Sequence, residues 1–197
     1  MKRIILGALL ASAVAAVPAM AALKQGEKAP DFNAKASLGG KEFNFSLADS
    51  LKKGPVVVYF YPAAYTGGCN IEAHTFAENK EKFDAANTTI IGVSLDPIDK
   101  LNKFSADPKY CAGKFPVASD ANGAITKSYA LNVGAAREGA KDTEGQAIDH
   151  GFAERTTFVI TPDHKVVATL SSADDKISPT DHVDKSLALV QDIAKKK

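Results

Sequence analysis

The sequence predicts an α/β domain in which a mixed sheet lies between helices, and three observations predict it. Residues 56–61, VVVYFY, are a β-favouring run with no polar alternation, which suits a strand buried on both faces. From there to residue 131, strand-like and helix-like stretches alternate. Two short apolar runs, at 156–160 and 165–170, flank Thr161-Pro162-Asp163-His164 and precede a final segment with helical spacing, so a hairpin and a helix close the chain.

The elements follow in order. Lys2 and Arg3 precede an uncharged run rich in alanine and leucine at 4–17, then Pro18 and the small-x-small Ala19-Met20-Ala21. That is the pattern of a secretory signal peptide cut after Ala21, which divides the chain into residues 1–21 and a mature domain of residues 22–197 and sends the protein to a periplasm. The competing expectation is an uncleaved anchor, because no further charge appears before Lys24; Pro18 and the cleavage-like site favour removal. After cleavage no stable membrane contact is expected. Loss of Lys2 and Arg3 leaves 22 basic against 23 acidic residues, so nothing in the charge points to nucleic acid.

Residues 29–45 alternate loosely around Gly39-Gly40 and read as a β-hairpin, and residues 46–52 as a short helical turn. After the strand at 56–61, Gly67 and Gly68 lead into a helix expected from Cys69 to about residue 86. A strand at 88–95 follows, then a helix opened by Asp96-Pro97 and ended by Asp107-Pro108. Residues 109–114 are a loop carrying Cys111, residues 115–118 a short strand, and residues 121–131 a helix. Residues 132–154 are polar with no period. The closing helix starts at Ser178-Pro179-Thr180-Asp181, which has capping-box character, and places Val183, Leu187, Val190 and Ala194 on one face.

Chemistry concentrates at Cys69. The first amides of a helix lack intrahelical partners and carry the positive end of its dipole, so a thiolate at a strand-to-helix corner is stabilised and nucleophilic. The alternative is a small buried hydrophobe. Only two cysteines, Cys69 and Cys111, occur, and the four histidines show no metal-ligand spacing with them, so neither a disulfide scaffold, a metal nor another cofactor is expected.

Pro62, Thr66 and Cys69 stand in the spacing P-x-x-x-T-x-x-C directly after the apolar strand. This resembles the active-site signature of the peroxiredoxins, of the AhpC/TSA superfamily. Glu72, Phe115-Pro116, Ser119-Asp120 and Arg155 also fall where that family has similar residues, and the likeness is greatest to the bacterioferritin comigratory protein, or Q-type, subgroup. It implies a thioredoxin-like fold and a thiol-dependent peroxidase acting on hydrogen peroxide and small organic hydroperoxides. In that reading Cys69 is the peroxidatic nucleophile that becomes a sulfenic acid. The Thr66 hydroxyl, as donor or acceptor, binds the peroxide together with Arg155 and the amides of Gly68 and Cys69. Pro62 shields the thiolate from water, and Glu72 pairs with Arg155 or another cation, the alternative being a solvated surface carboxylate.

Where many Q-type members carry a resolving cysteine one helical turn beyond the nucleophile, this chain has His74. Cys111 is then the remaining resolving candidate. A one-cysteine mechanism with an external thiol and a static Cys69–Cys111 disulfide are the other possibilities. The reductant is a thioredoxin-like, glutaredoxin-like or small thiol, and the protein a monomer or homodimer. The competing functions are a thiol–disulfide oxidoreductase and a copper-delivery protein of the same fold, but both normally need a second cysteine close to Cys69, and Asn70 to Ala73 supply none.

Overall fold

A computed structural model describes residues 22–196; the expected signal peptide and the choice between cleavage and anchoring lie outside the described residues. The N-terminal hairpin pairs β1 (Asn33–Leu38) with β2 (Lys41–Ser46). Gly39 and Gly40, with φ of +56° and +81°, make its two-residue turn, in a backbone region that side chains disfavour. Ser46 then caps α1 (Leu47–Leu51) by accepting from the Asp49 amide at 3.2 Å.

β3 (Val56–Phe60) is fully buried, and its alternation explains why no polar residue interrupts it. Val57 and Tyr59 enter one core, with Phe76, Phe83, Phe104, Phe115, Val183 and Val190. Val56, Val58 and Phe60 enter another, on the opposite face, with Ile91, Val93, Tyr129 and Phe158. α2 (Gly67–Ala85), α3 (Ile98–Ala106) and α6 (Pro179–Lys195) contribute to the first core. α1 and α4 (Ala124–Ser128) contribute to the second.

β3 runs parallel to β4 (Thr89–Ser94), and β4 parallel to β5 (Val117–Ser119). On its other side β3 is antiparallel to β8 (Thr156–Ile160), which pairs with β9 (Val166–Ser171). The resulting sheet has seven strands in the order β2-β1-β5-β4-β3-β8-β9, mixed as expected. Gly92 in β4 lets the Tyr59 ring lie on the sheet, since a Cβ there would stand 2.6 Å from the ring.

Three boundaries move for identifiable reasons. α2 begins two residues before Cys69, because Thr66 takes the extended N-cap conformation and its carbonyl accepts from the Asn70 amide at 2.8 Å. β5 begins after Pro116, which has no N–H to contribute. α4 is half the expected length: it starts after Gly123, and its amides at Ile125 and Thr126 are held by the Asp120 carboxylate at 3.0 and 2.7 Å.

The aperiodic stretch forms a ribbon. Val133–Gly134 (β6) pairs with Phe152–Ala153 (β7), and between them Asp142 accepts from the Glu144 and Gln146 amides to close a tip. A short helix α5 (Ser172–Asp175), which the sequence did not suggest, follows β9. The capping box at Ser178 and Asp181 forms as expected, and Val183, Leu187 and Val190 are buried. No described helix is long and apolar enough to cross a membrane.

Candidate active site

The loop leaving β3 delivers the site. Tyr61 still belongs to the sheet through its amide, which donates to the Val93 carbonyl at 3.1 Å. Pro62 follows half-buried at the rim. Tyr65 adopts φ +60°, a left-handed conformation that costs on the order of 1 kcal/mol for such a residue, and so turns the chain into α2. Its carbonyl accepts from both the amide and the hydroxyl of Thr143, each at 2.8 Å, which ties the ribbon to the loop.

Thr66 is the N-cap residue but does not cap with its side chain. Its hydroxyl instead donates to the Ala63 carbonyl at 2.8 Å, so its oxygen remains an acceptor. This narrows the expected role from donor or acceptor to acceptor. The amides of Gly67, Gly68 and Cys69 precede the first intrahelical bond and are the orphan donors of α2.

Cys69, buried with 2% of its surface exposed, sits under Arg155, whose Nη2 donates to Sγ at 3.2 Å. The same guanidinium donates through Nη1 to Oε2 of Glu72, so one rigid fork serves the sulfur and the carboxylate together. Glu72 is therefore Arg155's partner rather than a surface acid. Burial lifts its carboxyl to about 7 while the Arg155 guanidinium pulls it down. For Arg155 burial works against the charge, but Glu72 and Cys69 outweigh it, and its value is raised.

Gly68 matters for space as well as for its amide. A Cβ there would stand 3.1 Å from Arg155 Nη2 and 3.4 Å from Pro179 Cγ, so a side chain would push the guanidinium from the sulfur. An open cleft of 580 Å³ approaches the site, lined by Pro62 and Thr66 from the loop and by Arg137, Ile148 and Phe152 from the ribbon.

The structure does not bring every candidate to the same place. His74 is exposed and pairs with Glu78 at 3.3 Å, one turn along the helix, as a surface residue does. Cys111 is fully buried in a turn after α3, in the core that also contains Cys69, Tyr59 and Tyr61. Burial, with Asp107 adding, pushes its thiol well above the usual range. Both cysteines are free, which leaves no static disulfide between them.

Sequence reasoning missed Asp96 and His150. Asp96, fully buried, accepts from the Ala64 amide at 2.7 Å and from Ser94 Oγ at 2.8 Å through one oxygen. Its other oxygen faces His150 Nε2 at 3.1 Å and Lys100 Nζ at 3.2 Å. Lys100 also reaches Asp142 at 3.0 Å. One carboxylate thus joins the loop before Cys69 to two points on the ribbon. His150 Nδ1 faces the Gly151 carbonyl at 2.8 Å, so both ring nitrogens meet acceptors and the imidazolium fits. A motif search reads Asp96 only as a helix opener, and His150 lies where no period exists.

This cluster has a pH signature. Burial opposes the His150 charge, but Asp96 and the Gly151 carbonyl win and raise it; burial likewise opposes Asp96, and His150, Ala64 and Lys100 hold it low. Raised above its unfolded value, His150 stabilises fully below about pH 6.5, and the contribution is lost as pH climbs through its folded value. The Asp96 contribution is present above about pH 4 and is lost as pH falls through its lowered value. His150→Gln should therefore lower the urea stability by about 1 kcal/mol at pH 6 and by less at pH 9, and Asp96→Asn should cost about 3 kcal/mol at pH 6 and less at pH 9, where the His150 charge that it holds is lost. A His150→Gln deficit that grows toward pH 9 would contradict the assignment.

Comparison with known proteins settles the family. Residues 25–169 match the AhpC/TSA family. The chain belongs to it. A Mycobacterium tuberculosis protein whose name assigns it to the peroxiredoxins is 32% identical over 87% of this chain and 98% of its own length. The crystal structure of peroxidoxin BcpB from the same species superposes with a TM-score of 0.70 at 31% identity, covering 87% of this chain and 98% of that one. A peroxiredoxin Q structure from Xanthomonas campestris gives 0.63 at 27% identity, over 81% of this chain and 90% of that one. The thioredoxin-like fold, the resemblance to the Q-type subgroup and the class of thiol peroxidase all follow from these matches, and nothing in them favours a thiol–disulfide oxidoreductase or a copper carrier.

Proposed function

We propose that this peroxiredoxin reduces hydrogen peroxide and small organic hydroperoxides through a sulfenic acid on Cys69. The supporting observation is the 3.2 Å contact of Arg155 Nη2 with Cys69 Sγ at the N-terminus of α2. Cys69, as the thiolate beside this cation, attacks one peroxide oxygen. The O–O bond breaks, a sulfenic acid forms, and the other oxygen leaves as water or alcohol after taking a proton. Arg155 and the orphan amides of Gly68 and Cys69 suit the developing negative charge, and the acceptor oxygen of Thr66 suits the peroxide O–H. Pro62 at the rim limits water.

For the second half of the cycle we favour Cys111 as the resolving thiol, followed by reduction by a thioredoxin-like, glutaredoxin-like or small thiol. Its complete burial means that its turn and the first turn of α2 must open for the sulfurs to meet. The one-cysteine alternative, in which an external thiol attacks directly, also needs the buried Cys69 sulfur to become accessible, so the burial of both sulfurs speaks for neither. The reading places the mature protein in a periplasm, on the signal-like residues 1–21.

The test is hydrogen peroxide consumption with a thiol reductant, together with dimedone trapping and non-reducing peptide mapping. One dimedone adduct on Cys69 is expected, and in Cys111→Ser it should accumulate several-fold because the competing disulfide is gone. An adduct confined to Cys111, or none, removes the reading. Equal trapping and turnover in Cys111→Ser would leave the peroxidase and remove the resolving role.

A further inference from the structure

Behind Arg155 the first turn of α6 carries a second histidine that none of the peroxide chemistry uses. His182 is fully buried. Its Nδ1 lies 3.0 Å from the hydroxyl of Thr157 in β8, and its Nε2 lies 2.9 Å from the hydroxyl of Ser172 at the start of α5. Each contact leads back to Arg155. Thr157 is two residues beyond it in sequence, in the strand that Arg155 leads into. The Ser172 amide donates to the Arg155 carbonyl at 3.1 Å.

The same turn of α6 also reaches the nucleophile's helix. Pro179, three residues before His182, would be 3.4 Å from a Cβ on Gly68, which precedes Cys69. The backbone that holds the guanidinium and the backbone that holds the sulfur thus meet on one turn of one helix.

We infer that His182 is a positioning residue for the thiolate site, bridging Thr157 and Ser172 so that Arg155 is held in register with Cys69. The inference rests on the proposed role of Arg155 but adds a residue to it. A ring between two hydroxyls is well suited to this: in either neutral tautomer one nitrogen donates and the other accepts, and each hydroxyl can rotate to the complementary role. The charge state agrees. Burial, then the nearby Arg155 guanidinium, push His182 down to about 4 against the opposing pull of Asp175 and Asp181, so the ring stays neutral at working pH and Arg155 is not repelled from the sulfur. It is not a proton shuttle there.

The experiment compares wild type with His182→Phe, His182→Gln and Val190→Ala, the last being a buried residue on the same face of α6, two turns away from the site. Two quantities are read: alkylation of Cys69 by iodoacetamide at about pH 6, which reports thiolate at Cys69 independently of any peroxide, and kcat/KM for hydrogen peroxide. His182→Phe, which keeps a ring and loses both hydrogen bonds, should slow alkylation and kcat/KM in parallel by roughly tenfold. His182→Gln, which can keep one bond, should recover part of each. Val190→Ala should lose urea stability and leave both rates near wild type.

Wild-type rates in His182→Phe overturn the inference, and so does an equal loss in a Val190→Ala protein of matched stability, which would make the effect one of folding. If alkylation slows but wild type consumes no peroxide, the positioning stands and the peroxidase reading fails.

Discussion

Cys69→Ser reduces peroxide consumption to the background of the buffer, a loss of at least about a thousandfold, while urea stability stays within about 1 kcal/mol of wild type. The two expectations come from different properties of the same atom. Structurally the exchange is small: the site is 2% exposed, and a serine hydroxyl can still accept from Arg155 Nη2 where the sulfur does at 3.2 Å. Chemically nothing survives it. A hydroxyl at that position does not ionise near neutral pH even beside a guanidinium, and an oxygen attacking peroxide would have to build a new O–O bond as weak as the one it breaks. Sulfur ionises readily and forms a stable S–O bond. A time course of peroxide loss under saturating thiol reductant measures it, and retained turnover would move the reaction away from α2 altogether.

How much of this was legible before the structure depended on whether the cause was local. The strand at 56–60, the hairpin at Gly39-Gly40 and the cap at Ser178 are local in origin, through side-chain periodicity, backbone freedom at glycine and a hydroxyl near an orphan amide. Cys69, Thr66 and Pro62 were legible because they share one short segment and its spacing. Arg155 lies far along the chain, and only the family resemblance pointed to it; its 3.2 Å approach to Sγ depends on Gly68 having no side chain. Asp96, His150 and His182 were not legible at all. Their partners lie on other elements, and no residue spacing encodes the meeting of the ribbon with the loop at Ala64 or of α6 with β8.

Arg155→Leu is expected to cost both activity and stability, and the stability loss should depend on pH in a direction that identifies its cause. Without the guanidinium the nucleophile loses its closest cation and the peroxide a donor, which together should lower kcat/KM by about 10²–10³. Glu72 is left fully buried, and its Oε1 has no partner even in wild type. Breaking a buried pair by removing one member costs about 3–5 kcal/mol at neutral pH. The carboxyl, already lifted to about 7 with Arg155 present, rises further when the arginine is gone. A buried acid whose folded value exceeds its unfolded one stabilises least when it must be charged, so the variant should be weakest at pH 8 and regain stability as pH falls toward 5 and Glu72 takes up its proton. Adding Glu72→Gln to Arg155→Leu should restore much of the stability at pH 8 and flatten its pH dependence, yet restore none of the activity. Urea titrations of the three proteins at pH 5 and pH 8 read this directly. A deficit in Arg155→Leu that is independent of pH would mean that lost packing of the arginine stem, not the stranded carboxylate, dominates. Arg155→Lys separates the remaining roles: one ammonium can face the sulfur or the carboxylate but cannot fork to both, so it should retain more stability than leucine while recovering little of the rate.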